Sequence, residues 1–357
     1  METTKIKAVT IEPIDVALDE PFTISLGVQH SIKNVLITVL LENGVVGFGE
    51  AAPFESINGE NQATVLAALN SYRDFLIGKD AADVVRISRH MKSAFWAQVT
   101  ARCAVEMALL DAFTKSLGLP LYKYFGGMEN RIETDFTIDM LTPSAARKNA
   151  GILTQQGYNI LKVKVGKNIK EDVQRIMAVL EGAPDVQFTM DANQGFTPSN
   201  AVHFLEELER RDIRPVLFEQ PVLKTDLDGM KFVKDHTCVP IAADESVFTS
   251  ADAINIVRKN CADVINIKIM KSGLIEALDI AAIARGANIG LMMGSMLETR
   301  LALSCSVHLA AGLGGFSHID LDPHIDPERE PFTGGPEFKD PYYRLSDKVP
   351  GIGIRKK

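Results

Sequence analysis

Residues 160–166 read ILKVKVG, an apolar run that carries two lysines two positions apart, Lys162 and Lys164. Similar runs further along are each punctuated by one acid: Asp191 in TMDANQGF, Glu219 in LFEQP and Asp244 in AADES. A third lysine, Lys268, interrupts INIKIMKSG, and Asp320 and Asp322 flank a leucine in IDLDP. Two kinds of chemistry fit such groups. A lysine that has lost its proton is a base. Three carboxylates brought together repel and raise one another's pKa unless a cation lies between them. A hard ion suits that need, and Mg²⁺ suits a few carboxylates, leaving its other positions to water or substrate oxygen. Taken singly, each acid reads first as a helix N-cap or a turn residue. Taken singly, Lys162 and Lys164 read as the solvated face of a strand.

The elements that carry these residues change the weighing. From about residue 130 the chain alternates short apolar strands with amphipathic helices. Strands are expected at 134–139, 160–165, 186–191, 215–219, 240–243, 263–268, 289–293 and 317–321. Their ends recur every 24–28 residues, the period of a βα repeat. Eight such units predict a TIM-like (β/α) barrel. An open doubly wound sheet is disfavoured, because no Gly-rich phosphate turn follows the first strand. In a barrel one strand face points inward and the other lies under helices, so neither is solvent and the lysines need another explanation. The acids on the third, fourth and fifth strands would converge at the C-terminal mouth, where barrel active sites form. Lys164 on the second strand and Lys268 on the sixth would then face each other across that mouth. A base on either side of one carbon can remove a proton from one face and return one to the other. A cation and a neighbouring lysine are expected to depress each lysine's pKa.

Residues 5–55 alternate as strands, with Asn43-Gly44 at a hairpin turn, and 61–119 turn helical, stopping at Gly118-Leu119-Pro120. This is an α+β unit. The tail from about 325, rich in Pro, Gly and charge, does not continue the repeat and is expected to return to that unit. The division expected is therefore a capping domain over 1–128, completed by 325–357, and a barrel over 129–324. The net charge of −8 argues against a nucleic-acid or anionic-membrane partner. No apolar run approaches the ~20 residues of a membrane span, and METTKIKAVTIEPIDV has no signal-peptide apolar core. Cys103, Cys238, Cys261 and Cys305 lack metal or CxxC spacing and read as buried thiols. A cytoplasmic location is expected, and a homo-oligomer is compatible with all of this.

The ordered set GFGEAAP, INGEN, ARCAVEMALLDAFTKSLGLPLYKYFGG, LKVKVG, MDANQGF, FEQP, ADES and NIKIMKSG resembles the muconate-lactonizing-enzyme subgroup of the enolase superfamily over nearly the whole chain. The resemblance implies an isomerase with one Mg²⁺ per subunit held by Asp191, Glu219 and Asp244. It implies Lys164 and Lys268 as the acid/base pair and Lys162 as the neighbour that supports Lys164. Asp320-Leu321-Asp322 resembles the Asp-x-Asp motif of dipeptide epimerases, which holds the free ammonium of a dipeptide. An acidic pair away from the metal triad does want a cation; its plainer reading is a turn before Pro323. The implied reaction is proton transfer at the α-carbon of the dipeptide's C-terminal residue through an enediolate. N-acylamino acid racemase, o-succinylbenzoate synthase and muconate cycloisomerase share the same half-step and are the alternatives. One departure bears on substrate. Where relatives acting on L-Ala-D/L-Glu carry an arginine, PFTISLGVQ has Gly27, and no Arg or Lys stands in 21–32. An apolar second residue is expected against Phe22, Ile24, Leu26 and Val28, with Ile57 joining the wall. Thr137 is a further polar contact. Glu298, in GSMLET, reads either as a group that orients substrate or lysine or as a charge at a helix start.

Overall fold

The computed structural model describes residues 3–24 and 27–357, the side chains of 19–21, 23 and 24 excepted. Three strands open the chain: β1 (Ile6–Ile24), β2 (Gly27–Leu41) and β3 (Val46–Ala51) form an antiparallel sheet in that order. The turn between β2 and β3 falls at Asn43-Gly44, where Val45 N donates to the Asn43 side chain at 3.1 Å. Helix Val99–Ser116 lies on β3. Gly47 and Gly49 make that approach possible, because a methyl on either would run into the carbonyls of Ala108 and Ala104. This helix is buried nearly all round, since the N-terminal sheet and helices of the barrel both pack on it.

β4 (Arg131–Glu133) leads into the barrel strands β5 (Phe136–Ile138), β6 (Ile160–Lys164), β7 (Gln187–Asp191), β8 (Leu217–Glu219), β9 (Ile241–Ala243), β10 (Val264–Ile267), β11 (Gly290–Gly294) and β12 (Phe316–Asp320). These eight pair in parallel, each with its sequence neighbour. Every expected strand is found, each end within two residues of the position expected. β12 and β5 are joined by isolated hydrogen bonds: Asp135 N donates to the Ile319 carbonyl at 3.0 Å, Leu321 N to Thr134 Oγ1 at 2.8 Å and Thr137 N to Asp322 Oδ2 at 2.9 Å. In the tail, β13 (Phe332–Gly334) pairs with β16 (Ile354–Lys356), and β14 (Glu337–Lys339) with β15 (Tyr342–Arg344), which pairs back to β4. The tail also reaches the first 125 residues: Leu121 N donates to the Gly351 carbonyl and Ile352 N to Asp111, at 2.9 and 2.8 Å.

A row of fully buried acids stitches these parts together at helix ends. Glu50, on β3, accepts from Asn34 Nδ2 (2.6 Å), Thr299 N (2.9 Å), Thr299 Oγ1 (2.5 Å) and Ala302 N (3.1 Å), closing the start of helix Arg300–Leu313 from the other unit. Glu106 does the same for helix Leu274–Gly286, accepting from Leu274 N and Ile275 N at 2.5 and 3.1 Å. Backbone N–H groups left over at helix starts are paired in this way. Cys238 is exposed, unlike the other three cysteines; its place after helix Leu227–Asp235 leaves it at the surface. Among the described residues no helix is long and apolar enough to cross a membrane.

Candidate active site at the barrel mouth

Register explains why the chemistry-bearing residues meet. Lys164, Asp191 and Glu219 are direct partners across β6, β7 and β8, so they form one row at the strands' C-terminal ends. Lys162 lies two residues earlier on the same inward face. Asp244 follows β9, Lys268 follows β10, and Asp320 ends β12. All seven are buried. None of the three acids caps a helix; Thr197, Asp226 and Thr249 do that for the helices that follow. The turns after Asp191 and Glu219 carry Asn193 (φ 40°), Gln194 (φ 70°) and Gln220 (φ 36°), left-handed backbone that non-glycine residues adopt only when held there.

Lys162 Nζ sits among three carboxylates, 2.6 Å from Asp320 Oδ2, 2.8 Å from Glu219 Oε2 and 3.0 Å from Asp191 Oδ2. Lys164 Nζ donates to Asp191 Oδ2 at 2.7 Å and to Asn193 Oδ1 at 3.1 Å. Lys268 Nζ is 2.9 Å from Asp244 Oδ2. Burial works to lower the pKa of Lys162, but Asp191, Asp320 and Glu219 outweigh it and push it well up. For Lys268 burial is likewise overcome, chiefly by Asp244. At Lys162 and Lys268 the protein's own groups therefore push the pKa up rather than down, because carboxylates gather around each. Burial pushes Glu219 up to about 8, with Asp191's charge adding to it. Burial pushes Asp191 and Asp244 up too, but the lysines beside them win and hold both well below the usual carboxylate range.

Three groups in this ring escaped the sequence reading. Lys271 Nζ lies 2.6 Å from Asp244 Oδ1, Asn266 Nδ2 donates to Glu219 Oε1 at 2.6 Å, and Asn193 holds Lys164. The signal was present: Asn266 and Lys271 stand in the same INIKIMKSG run as Lys268, polar residues where an apolar strand and helix are buried. Among the described residues the acids do not form a ready-made cage around one point. Their donor set nevertheless fits a hard divalent ion. Asp191, Glu219 and Asp244 are fully buried oxygen ligands, and Glu219 Oε2 and both Asp244 carboxylate oxygens complete no hydrogen bond.

A cavity of about 30 Å³ over this ring is lined by Lys164, Lys268, Thr137, Asp320, Phe22 and Ile57, with Phe54, Leu297 and His324. Phe22 covers it, its ring 6.0 Å from Lys164 Nζ. Val28 is 49% exposed and is not part of that wall. Leu26 and the Ile24 side chain lie outside the described residues. Ile57 is held from the barrel side: Lys224 Nζ, resting over Phe248, donates to the Ile57 carbonyl at 3.0 Å. Asp322 is buried, with one oxygen on Thr137 N and the other 3.5 Å from His324 Nε2. Glu298 precedes the N-cap Thr299; its Oε1 accepts from Met296 N at 2.9 Å, and its Oε2 is buried without a partner.

Known proteins resemble this chain over its length. The model for the mandelate racemase / muconate lactonizing enzyme N-terminal domain matches residues 5–126, and the model for the enolase C-terminal domain-like family matches 145–357. An aromatic dipeptide epimerase of Herpetosiphon aurantiacus is 39% identical over 352 residues, 98% of this chain and 99% of that one. An L-Ala-D/L-Glu epimerase of Thermotoga maritima is 36% identical over 330 residues, 92% of this chain and 95% of that one. A dipeptide epimerase of Enterococcus faecalis, solved with Mg and L-Leu-L-Tyr, superposes with a TM-score of 0.94 at 35% identity, covering 98% of this chain and 99% of that one.

Proposed function

We propose that this chain, which belongs to the mandelate racemase/muconate lactonizing enzyme branch of the enolase superfamily, is an isomerase that epimerises dipeptides at the C-terminal residue. The observation that carries the reading is the pair Lys164 and Lys268. They come from the second and sixth barrel strands, each bound to a different carboxylate, and both line the one cavity over the mouth. Asp320 and Asp322 beside them fit a cationic amine better than any neutral acyl group.

The placement supports the following roles. The dipeptide's C-terminal carboxylate faces Asp191, Glu219 and Asp244, which would hold Mg²⁺. That ion, when bound, supplies positive charge opposite the substrate's carboxylate oxygens. One lysine, as the free amine, takes the α-proton from one face. The other, as the ammonium, gives a proton to the opposite face. Lys162 neutralises Asp191 and Glu219 from below, and Asn193 orients Lys164. Asp320 and Asp322 take the substrate's ammonium, and Thr137 stands beside them. Phe22 and Ile57 form an apolar wall for the second residue. Among the described residues, the lysines that line the cavity, Lys164 and Lys268, are both committed to proton transfer, which leaves no lysine or arginine there for a glutamate side chain. We assign the mouth's cover to residues 1–128 with 325–357 and the chemistry to 129–324, and we place the protein in the cytoplasm.

L,L-dipeptides incubated with enzyme and Mg²⁺ in D₂O test this. Deuterium should enter the α-position of an apolar C-terminal residue, together with the L,D product, and EDTA should stop it. Exchange confined to N-acylated amino acids would overturn the reading.

A further inference from the structure

The cavity over the lysines, at about 30 Å³, has room for a water or two and not for a dipeptide; ordinary ligand pockets run to ~300–1,000 Å³. A second cavity of about 300 Å³ lies beside it, between helix Arg300–Leu313 and the tail. His324 lines both and separates them. Its ring meets Phe22 edge-on at 5.1 Å, and its Nε2 stands 3.5 Å from Asp322 Oδ1. Neither contact is a hydrogen bond, so turning the ring away breaks none of that kind. The far wall of the second cavity is mainly apolar, with Leu303, Ile325, Phe338 and Tyr343. Its acids are already spoken for with one exception. Glu330 accepts from Arg300 N and Phe332 N at 3.0 and 3.2 Å, and Asp340 from Tyr158 at 2.8 Å, whereas Glu298 Oε2 is buried with no partner.

We infer that the second cavity is a subsite for the side chain of the substrate's N-terminal residue, and that it favours a large apolar one. The inference rests on the dipeptide-epimerase reading. An ammonium bound by Asp320 and Asp322 puts the first residue's α-carbon beside His324. From there the cavity behind His324 is the nearby space large enough for a bulky side chain. Displacing the ring joins the two spaces, and the free oxygen of Glu298 gives the incoming ammonium a further acceptor at the threshold. The apolar wall beyond gains from burying leucine or phenylalanine and gains nothing from glycine.

The test is the ratio of kcat/KM for L-Phe-L-Leu to that for L-Ala-L-Leu, read by α-deuterium exchange with Mg²⁺ present. The wild type should favour the bulky first residue by about tenfold or more. Leu303→Trp, which fills the cavity, should bring the ratio to within about twofold of unity. His324→Trp, which seals the partition, should do the same and serves if the first variant does not fold. A wild-type ratio near or below unity, with L-Ala-L-Leu turned over, overturns the subsite alone, as does a tenfold ratio that survives both variants. Failure of every dipeptide to exchange overturns the epimerase reading and the subsite with it.

Discussion

Two regions of this molecule bury carboxylates, and they treat them in opposite ways. At the joint between the N-terminal unit and the barrel, Glu50 and Glu106 spend their oxygens on backbone N–H groups, hydroxyls and the Asn34 amide, with Arg102 Nε 3.4 Å from Glu106; Glu50 alone accepts four hydrogen bonds. At the barrel mouth, Asp191, Glu219 and Asp244 face ammonium groups, and three of their oxygens complete no hydrogen bond. Burial is the same in both places. What differs is saturation. A saturated carboxylate is a structural rivet, costly to remove and with nothing left to offer a ligand. One met by ammonium groups has its charge balanced by ion pairs and keeps lone pairs for something else.

The sharpest way to break the comparison is to remove what the mouth works with. Lys164→Ala and Lys268→Ala should each lower α-proton exchange by at least ~10³-fold while the thermal unfolding curve stays close to that of the wild type; turnover retained in either variant would refute a two-base scheme. The matched pair Glu219→Gln and Glu50→Gln comes next. Glu219→Gln should cost at least ~10²-fold in activity and leave stability within ~1 kcal/mol. Glu50→Gln turns an amide NH₂ toward N–H donors and should cost roughly 2–4 kcal/mol in urea unfolding, with activity per folded molecule falling far less. Equal stability losses in the two would erase the distinction between the joint and the mouth.

His308 sharpens the picture at the joint. It accepts from Tyr122 N through Nδ1 at 3.0 Å, and its Nε2 meets the Ile352 carbonyl at 3.2 Å. Burial pushes its pKa down from 6.5 to about 4. The folded state then binds a proton less readily than the unfolded chain. The stability it contributes is complete above pH 6.5 and is lost as pH falls toward 4, by up to about 3 kcal/mol. In His308→Gln this part of the acid sensitivity should vanish from urea melts between pH 7 and 4; identical slopes would sink the assignment. The smallest effect belongs to Lys224. Lys224→Met frees the Ile57 loop and should raise KM for apolar dipeptides ~3–10-fold with kcat little changed, and Lys224→Arg should restore it.

Legibility in the sequence follows the same division. The eight strands, the hairpin at Asn43-Gly44 and the acids and lysines of the mouth were readable because a βα repeat is local and a charge in an apolar strand is conspicuous. Glu50 and Glu106 were not separated from catalytic acids by their motifs. GFGEAAP looks as functional as LFEQP, and only the position of helix Arg300–Leu313 beside β3 shows that Glu50 closes its start. The direction of the Lys162 pKa was not legible in the sequence either, because it depends on how many carboxylates gather around one ammonium. Asp322 was read as a ligand residue or a turn residue, and its bond to Thr137 N across the ring lies 185 positions away in the chain.

That last bond sets a limit on how this chain can change. Asp322 fastens the last strand to the first and, in the proposed reaction, also meets the substrate's amine. Selection on one duty therefore constrains the other, and a variant that alters substrate range through Asp322 inherits a loosened ring. New preferences are more freely acquired at Phe22, Ile57 or His324, which line the cavity without holding the strands together. A mutant library built to widen the range of dipeptides should keep Asp322 fixed and vary those three.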